Sequence, residues 1–175
     1  NFKNTKNVHN IISNINDRNN KNEIHNLLES FLDYQIILKV FFQWFKCIFI
    51  KIKTKNIISL FRNKSSDINF WHLLKDDWNS SLYGKDSIHN LFMLELFIKY
   101  FKFLPNQKIG LYLYENQPWE MAMLYSWKKY QVAPIIGFAH ATVPYWHLYY
   151  YNHSNFYKTL EKNNFPTPDY VALNG

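Results

Sequence analysis

This sequence has few of the residues from which nucleotide-binding and hydrolase motifs are built. Glycine occurs only as Gly84, Gly110, Gly137 and Gly175, so there is no GxGxxG turn, no Walker loop and no GxSxG elbow. A glycine-rich phosphate cradle is thereby excluded from this chain. The one cysteine, Cys47, cannot form an intrachain disulfide, and its place in an apolar run reads as a buried thiol. Arginine is confined to Arg18 and Arg62. A formal charge of +7 admits nucleic acid, acidic lipid or phosphate-bearing small molecules as partners. The scarcity of arginine and the scatter of the lysines argue against nucleic acid, because bidentate base and phosphate contacts are made best by arginine. Residues 1–26 are polar and Asn-rich with no apolar h-region, so nothing there resembles a signal peptide, and a cytoplasmic location is expected.

What is present is apolar and aromatic: 47% hydrophobic and 19% aromatic residues, enough for a real core in one domain or one domain with an extension. The chain starts with Asn1 and stops at Gly175, directly after the strand-like PDYVALNG. We therefore expect a piece of a longer protein, with part of its site elsewhere. Three regions follow from the patterning: a polar lead-in over 1–26, a helical region over 27–104, and an α/β portion over 105–175, truncated at its C-terminus.

Between Ile36 and Ile52 the polar residues are Lys39, Gln43, Lys46 and Lys51. The first three fall in a narrow stripe of a helix, leaving the rest apolar. A helix apolar nearly all round is buried in protein or in lipid. The lysines argue against a membrane span. Two readings stay open: a core helix packed against a sheet, and a basic, aromatic-rich helix in a membrane interface over 36–52, a peripheral contact with the inner face of the membrane. Further on, Asp67 is placed to cap a helix through INFWHLLKDDW. Ser80 to Asp86, with Gly84, breaks the pattern, and Ile88 to Phe103 forms a long amphipathic helix ending before Pro105.

Lys108 to Pro144 reads as strand–helix–strand. Ile109–Tyr114 and Ile135–Phe138 are short apolar runs of the kind buried on both faces of a parallel sheet. Between them Asn116 or Gln117 can cap a helix with Pro118 in its first turn. Trp119, Ala122, Met123, Trp127 and Tyr130 make its apolar face, and Lys128 and Lys129 suit its C-terminal dipole. After an aromatic loop, TVPYWHLYYYNHS, a helix near Phe156–Asn163 leads to a third strand, Tyr170–Leu173. The order is that of half an open, Rossmann-like parallel sheet preceded by helices.

In that arrangement Glu115-Asn116-Gln117, His140-Ala141-Thr142 and Asn174-Gly175 converge at the strand ends, where α/β folds bind ligands. A carboxylate and an imidazole facing one crevice make a general acid–base pair. They equally serve to tie loops together by hydrogen bonds. Glu120, in the first turn of the helix, is either a capping carboxylate or a second acid in the site. His140, His147 and His153 have no metal-ligand spacing, so no metal is expected. Tyr145, Trp146, Tyr149, Tyr150 and Tyr151 suit stacking on sugar rings or a face turned into a core.

The blocks YENQPWE (Tyr114 to Glu120), GFAHATVPYWHLYY (Gly137 to Tyr150) and PDYVALNG (Pro168 to Gly175) resemble bacterial surface-carbohydrate biosynthesis proteins of a glycosyltransferase family. WHLLKDDWNSSLYG (Trp71 to Gly84) resembles the same family's upstream segment. The resemblance implies a two-domain glycosyltransferase of the GT-B type, of which this chain is most of the acceptor-side half. It implies His140 as catalytic base, Glu115 and Glu120 as site carboxylates, and Asn116 and Gln117 as polar ligands. Thr142, Trp146, His147 and Tyr149, from the second strand end and the aromatic loop, are further candidate substrate contacts. The donor, a nucleotide sugar, would be held mostly by the other half. The acceptor would be a surface polysaccharide or lipopolysaccharide, lipid-linked in many such systems. A non-catalytic carbohydrate- or partner-binding module on the same fold is the competing expectation.

Overall fold

The computed structural model describes residues 2–18, 24–53, 59, 61, 68–139 and 165–173. Helix α1 spans Phe2–Arg18, and a 3₁₀ turn at Leu28–Phe31 precedes α2 (Tyr34–Lys53). Then come α3 (Trp71–Tyr83), α4 (Lys85–Phe103), β1 (Gly110–Tyr114), α5 (Pro118–Tyr130), β2 (Ile135–Ala139) and β3 (Tyr170–Ala172). The protein is thus mixed α/β, with a helical N-terminal region and a parallel sheet of order β1-β2-β3.

Helix α4 is the spine. Leu96 packs with Ile36 and Val40 of α2 in one core, and Phe101 packs with Tyr112, Met123, Leu124, Trp127 and Ile135 in the other. One helix thereby ties the helical region to the sheet. Its end is stitched by the buried Gln131, whose amide donates to the carbonyls of Phe101 and Leu104 at 3.3 and 3.2 Å and accepts the Gln107 N–H at 2.9 Å. All three bonds go to main chain, which satisfies a buried amide that would otherwise be costly.

Gly84 alone separates α3 from α4, a tighter break than the Ser80–Asp86 stretch expected. A Cβ there would stand 2.8 Å from the Ser80 Cα, so the corner demands glycine. At the start of α3 the Trp71 N–H donates to Asn69 Oδ1 at 2.9 Å; Asp67, the expected cap, lies outside the described residues.

Two expectations need correcting. The first concerns α2, which packs on α4 and α3 and not on the sheet. It turns Gln43 of its polar stripe inward, with Nε2 donating to Glu95 Oε1 at 2.6 Å, while Lys39 stays largely exposed and reaches back to put its Nζ 3.5 Å from Glu95 Oε2. Glu95 is only 4% exposed. A buried carboxylate on α4 thus draws in Gln43 and attracts the exposed Lys39, because leaving it unpaired would cost more than hiding another apolar side chain gains. The aromatic back of α2 faces outward, and Cys47 is half-buried instead of buried. No helix among the described residues is long and apolar enough to cross a membrane.

The second correction concerns the sheet. Its strands are buried on one face, against α4 and α5, through Tyr112, Ile135 and Ala139. Leu111, Leu113 and Phe138, on the other face, are exposed. A continuous apolar run cannot separate one covered face from two. Among the described residues the sheet is a three-stranded parallel one with helices on one side.

Candidate functional site

The β1–α5–β2 unit has the expected geometry. β1 and β2 pair in parallel with Gly110 opposite Ile135 and Tyr114 opposite Ala139. β3 joins β2, with Ile136 opposite Tyr170. Asp169 fastens that join: its main-chain N–H donates to the Ile135 carbonyl at 2.9 Å, its Oδ2 accepts the Ile135 N–H at 2.8 Å, and its Oδ1 lies 3.4 Å from Lys128 Nζ on α5. Gly137 leaves room for the neighbouring Tyr112 ring, which a Cβ would meet at 3.0–3.2 Å.

The chain leaves β1 through Glu115, Asn116 and Gln117, all exposed at the carboxyl edge of the sheet. Asn116 turns the backbone with φ 58°, the left-handed region that asparagine tolerates better than most residues. Pro118 opens α5, and Gln117 and Glu120 form its capping box. Glu120 Oε1 accepts the main-chain N–H of Glu115 at 2.9 Å and of Gln117 at 2.8 Å. The Glu120 main-chain N–H donates to the Gln117 carbonyl at 3.0 Å.

Glu120 itself is 2% exposed, and its Oε2 has no hydrogen-bond partner among the described residues. Burial pushes its carboxyl above the ordinary glutamate range. The Gln117 and Glu115 N–H groups pull it back, and the neighbouring Glu115 charge adds to the rise. The two carboxylates therefore differ in kind: Glu115 stands at the exposed strand edge, while Glu120 lies beneath it and holds the turn. Sequence reasoning had both possibilities for Glu120; it did not find the left-handed turn at Asn116, although an asparagine between a strand and a helix is the available signal.

Of the other candidate residues, His140, Thr142, Trp146, His147 and Tyr149 lie outside the described residues, as do Asn174, Gly175, the aromatic loop and the expected helix near 156–163. His140 follows Ala139, the last residue of β2, as Glu115 follows Tyr114, the last of β1.

A cavity of about 540 Å³ lies at the opposite, amino edge of the sheet, lined by Phe31, Tyr100, Leu104, Gly110, Trp127 and Ile135 among others. No acidic, basic or imidazole side chain lines it among the described residues, so it offers shape without acid–base chemistry. No family model, no curated protein and no solved structure matches this chain.

Proposed function

We propose that the chain is the acceptor-side half of a GT-B-type glycosyltransferase, with a Rossmann-like sheet, that moves a sugar from a nucleotide-sugar donor to a surface-polysaccharide or lipopolysaccharide acceptor. The observation that carries this reading is the parallel register of β1 and β2, with Tyr114 opposite Ala139. The residues that follow these two are Glu115 and His140, and the carboxyl edge of a parallel sheet is where such folds place ligands. The resemblance of YENQPWE and GFAHATVPYWHLYY to surface-carbohydrate biosynthesis proteins supplies the chemistry.

In this reading His140 takes the proton of an acceptor hydroxyl. The oxygen forms its bond to the anomeric carbon of the donor, whose bond to the phosphate oxygen breaks, and the nucleotide leaves with the electron pair. Glu115 stabilises the imidazolium that results. Asn116 and Gln117 hydrogen-bond the acceptor, with Thr142, Trp146, His147 and Tyr149 as further contacts. Glu120 positions the turn and does not touch substrate.

The test is saturation-transfer NMR on the chain with oligosaccharide acceptors, nucleotide sugars and free nucleotides, repeated with Glu115→Ala and His140→Ala. Oligosaccharide binding that weakens in both variants is expected. Nucleotide binding by the chain alone, or silence from every oligosaccharide, would overturn the acceptor-half reading. The burial of Glu120 favours one second reading, a non-catalytic carbohydrate-binding module, because it leaves Glu115 as the exposed acid of the described turn. Sugar binding that depends on Trp146 and Tyr149 but not on His140 would mark that case.

A further inference from the structure

Helix α2 is apolar on its outer side as well as on its buried one, against the usual rule for a surface helix. Its buried seam is Ile36 and Val40, with Gln43 turned to the Glu95 carboxylate and the Trp44 indole N–H donating to the Tyr83 carbonyl at 2.7 Å. Its outer side carries Ile37, Leu38, Phe41, Phe42, Phe49 and Ile52, each half or more exposed, with Phe42 at 64% and Phe49 at 62%. Half-exposed side chains of this size present on the order of 600 Å² together, at the upper end of the largest apolar patch on an ordinary monomer. The patch runs along a helix of 20 residues, about 30 Å in length.

Charge says what covers it. Along one border Lys39 and Lys46 lie seven residues apart, next to the row of Phe42 and Phe49. The helix holds four lysines, Lys39, Lys46, Lys51 and Lys53, and no acidic residue. The described acids that meet it are already engaged, Glu95 by Gln43 and Lys39, and Asp33 by Lys99. A second copy docked face to face would bring lysine rows together without an acid between them, and like charges oppose such a contact. An apolar strip bordered by lysine fits an anionic bilayer surface, where aromatic rings enter the headgroup boundary and ammonium groups reach phosphate.

We propose that α2 is an in-plane membrane anchor that docks the protein on an anionic phospholipid leaflet through Phe41, Phe42, Phe45 and Phe49. This does not rest on the glycosyltransferase reading; it holds for any activity at the strand edge.

The experiment is vesicle flotation of the 175-residue chain with phosphatidylcholine alone and with phosphatidylcholine–phosphatidylglycerol mixtures, together with light scattering for the oligomeric state. The expected result is a monomer that floats with the anionic vesicles and is released by salt. Phe42→Ser with Phe49→Ser should weaken binding by at least about tenfold, and Lys46→Gln by about fivefold. The far-UV spectrum and melting temperature should be unchanged, because those side chains are exposed. Leu111→Ser with Leu113→Ser, on the exposed sheet face, should leave flotation intact. No flotation by the folded chain, an equal loss in the sheet-face variant, or a dimer that the α2 substitutions dissociate would each overturn the proposal.

Discussion

Across the turn from β1 to α5 the carboxylate of Glu120 holds the main-chain N–H of Glu115 at 2.9 Å. A buried acid thereby sets where an exposed one stands. Because the same oxygen also holds the Gln117 N–H, the whole Glu115-Asn116-Gln117 corner is fixed from below.

Removing that support should be costly. Glu120→Ala strips the acceptor from two main-chain donors, and a loss of about 2–3 kcal/mol is expected in urea unfolding. Glu120→Gln keeps an oxygen acceptor and should lose less. Its pH profile is the sharper test. Burial raises the folded carboxyl above its unfolded value, so the folded state binds the proton more tightly. Stability is then highest below the unfolded value, about 4.3, and falls as pH rises through the folded one. The glutamine variant should lack that decline; an identical decline in both proteins would show that Glu120 is not its source.

Asp33 should show the opposite sign. Its Oδ2 meets Lys99 Nζ at 2.8 Å and its Oδ1 accepts the Ile36 N–H at 2.9 Å, so it caps α2 and ties it to α4 at once. The bond from Lys99, then that from Ile36, holds its carboxyl below the ordinary range. A depressed folded value gives stability that is present above the unfolded value, about 3.9, and lost as pH falls through the folded one. Asp33→Asn should therefore melt lower than the parent protein at neutral pH, with the gap closing in acid. Melting curves from pH 7 down to about 2 check this, and a gap that persists in acid would assign the cost to packing.

The third prediction concerns Glu95. Truncating it to alanine leaves the half-buried Gln43 without its acceptor and Lys39 without its partner, and about 3 kcal/mol of destabilisation is expected. Glu95→Leu with Gln43→Leu replaces a polar contact by an apolar one. The double variant should lose clearly less than the sum of the single substitutions. Strict additivity in denaturant unfolding would mean the two side chains do not act as a pair.

What could be read from the sequence followed from local signals. The runs Ile109–Tyr114 and Ile135–Phe138 announced the strands now seen at Gly110–Tyr114 and Ile135–Ala139, Pro118 and the two lysines bracketed α5, and the Ser80–Asp86 stretch with Gly84 marked the corner between α3 and α4. The candidate corner at Glu115 was legible because it depends on where a strand ends. What escaped depends on partners distant in the chain. Nothing near Gln43 in the sequence says that Glu95, 52 residues later, will draw it inward. Periodicity therefore gave the helix and missed its orientation. The covered and bare faces of the sheet were hidden for the same reason: Leu111 and Tyr112 are both apolar neighbours in one strand, and only α4 and α5 distinguish them.

Asn116 separates a role in the fold from a role in binding. Its φ of 58° costs a residue with a Cβ about 1–2 kcal/mol, less for asparagine and nothing for glycine. Asn116→Ala should therefore be less stable than the parent by about 1 kcal/mol, and Asn116→Gly should match it. The glycine variant keeps the turn while deleting the amide. If Asn116 hydrogen-bonds a sugar acceptor, oligosaccharide affinity measured by NMR titration should fall by about three- to tenfold in Asn116→Gly with no change in melting temperature. Unchanged affinity in that variant would leave Asn116 a turn residue only, and would confine direct acceptor contacts in the described corner to Gln117.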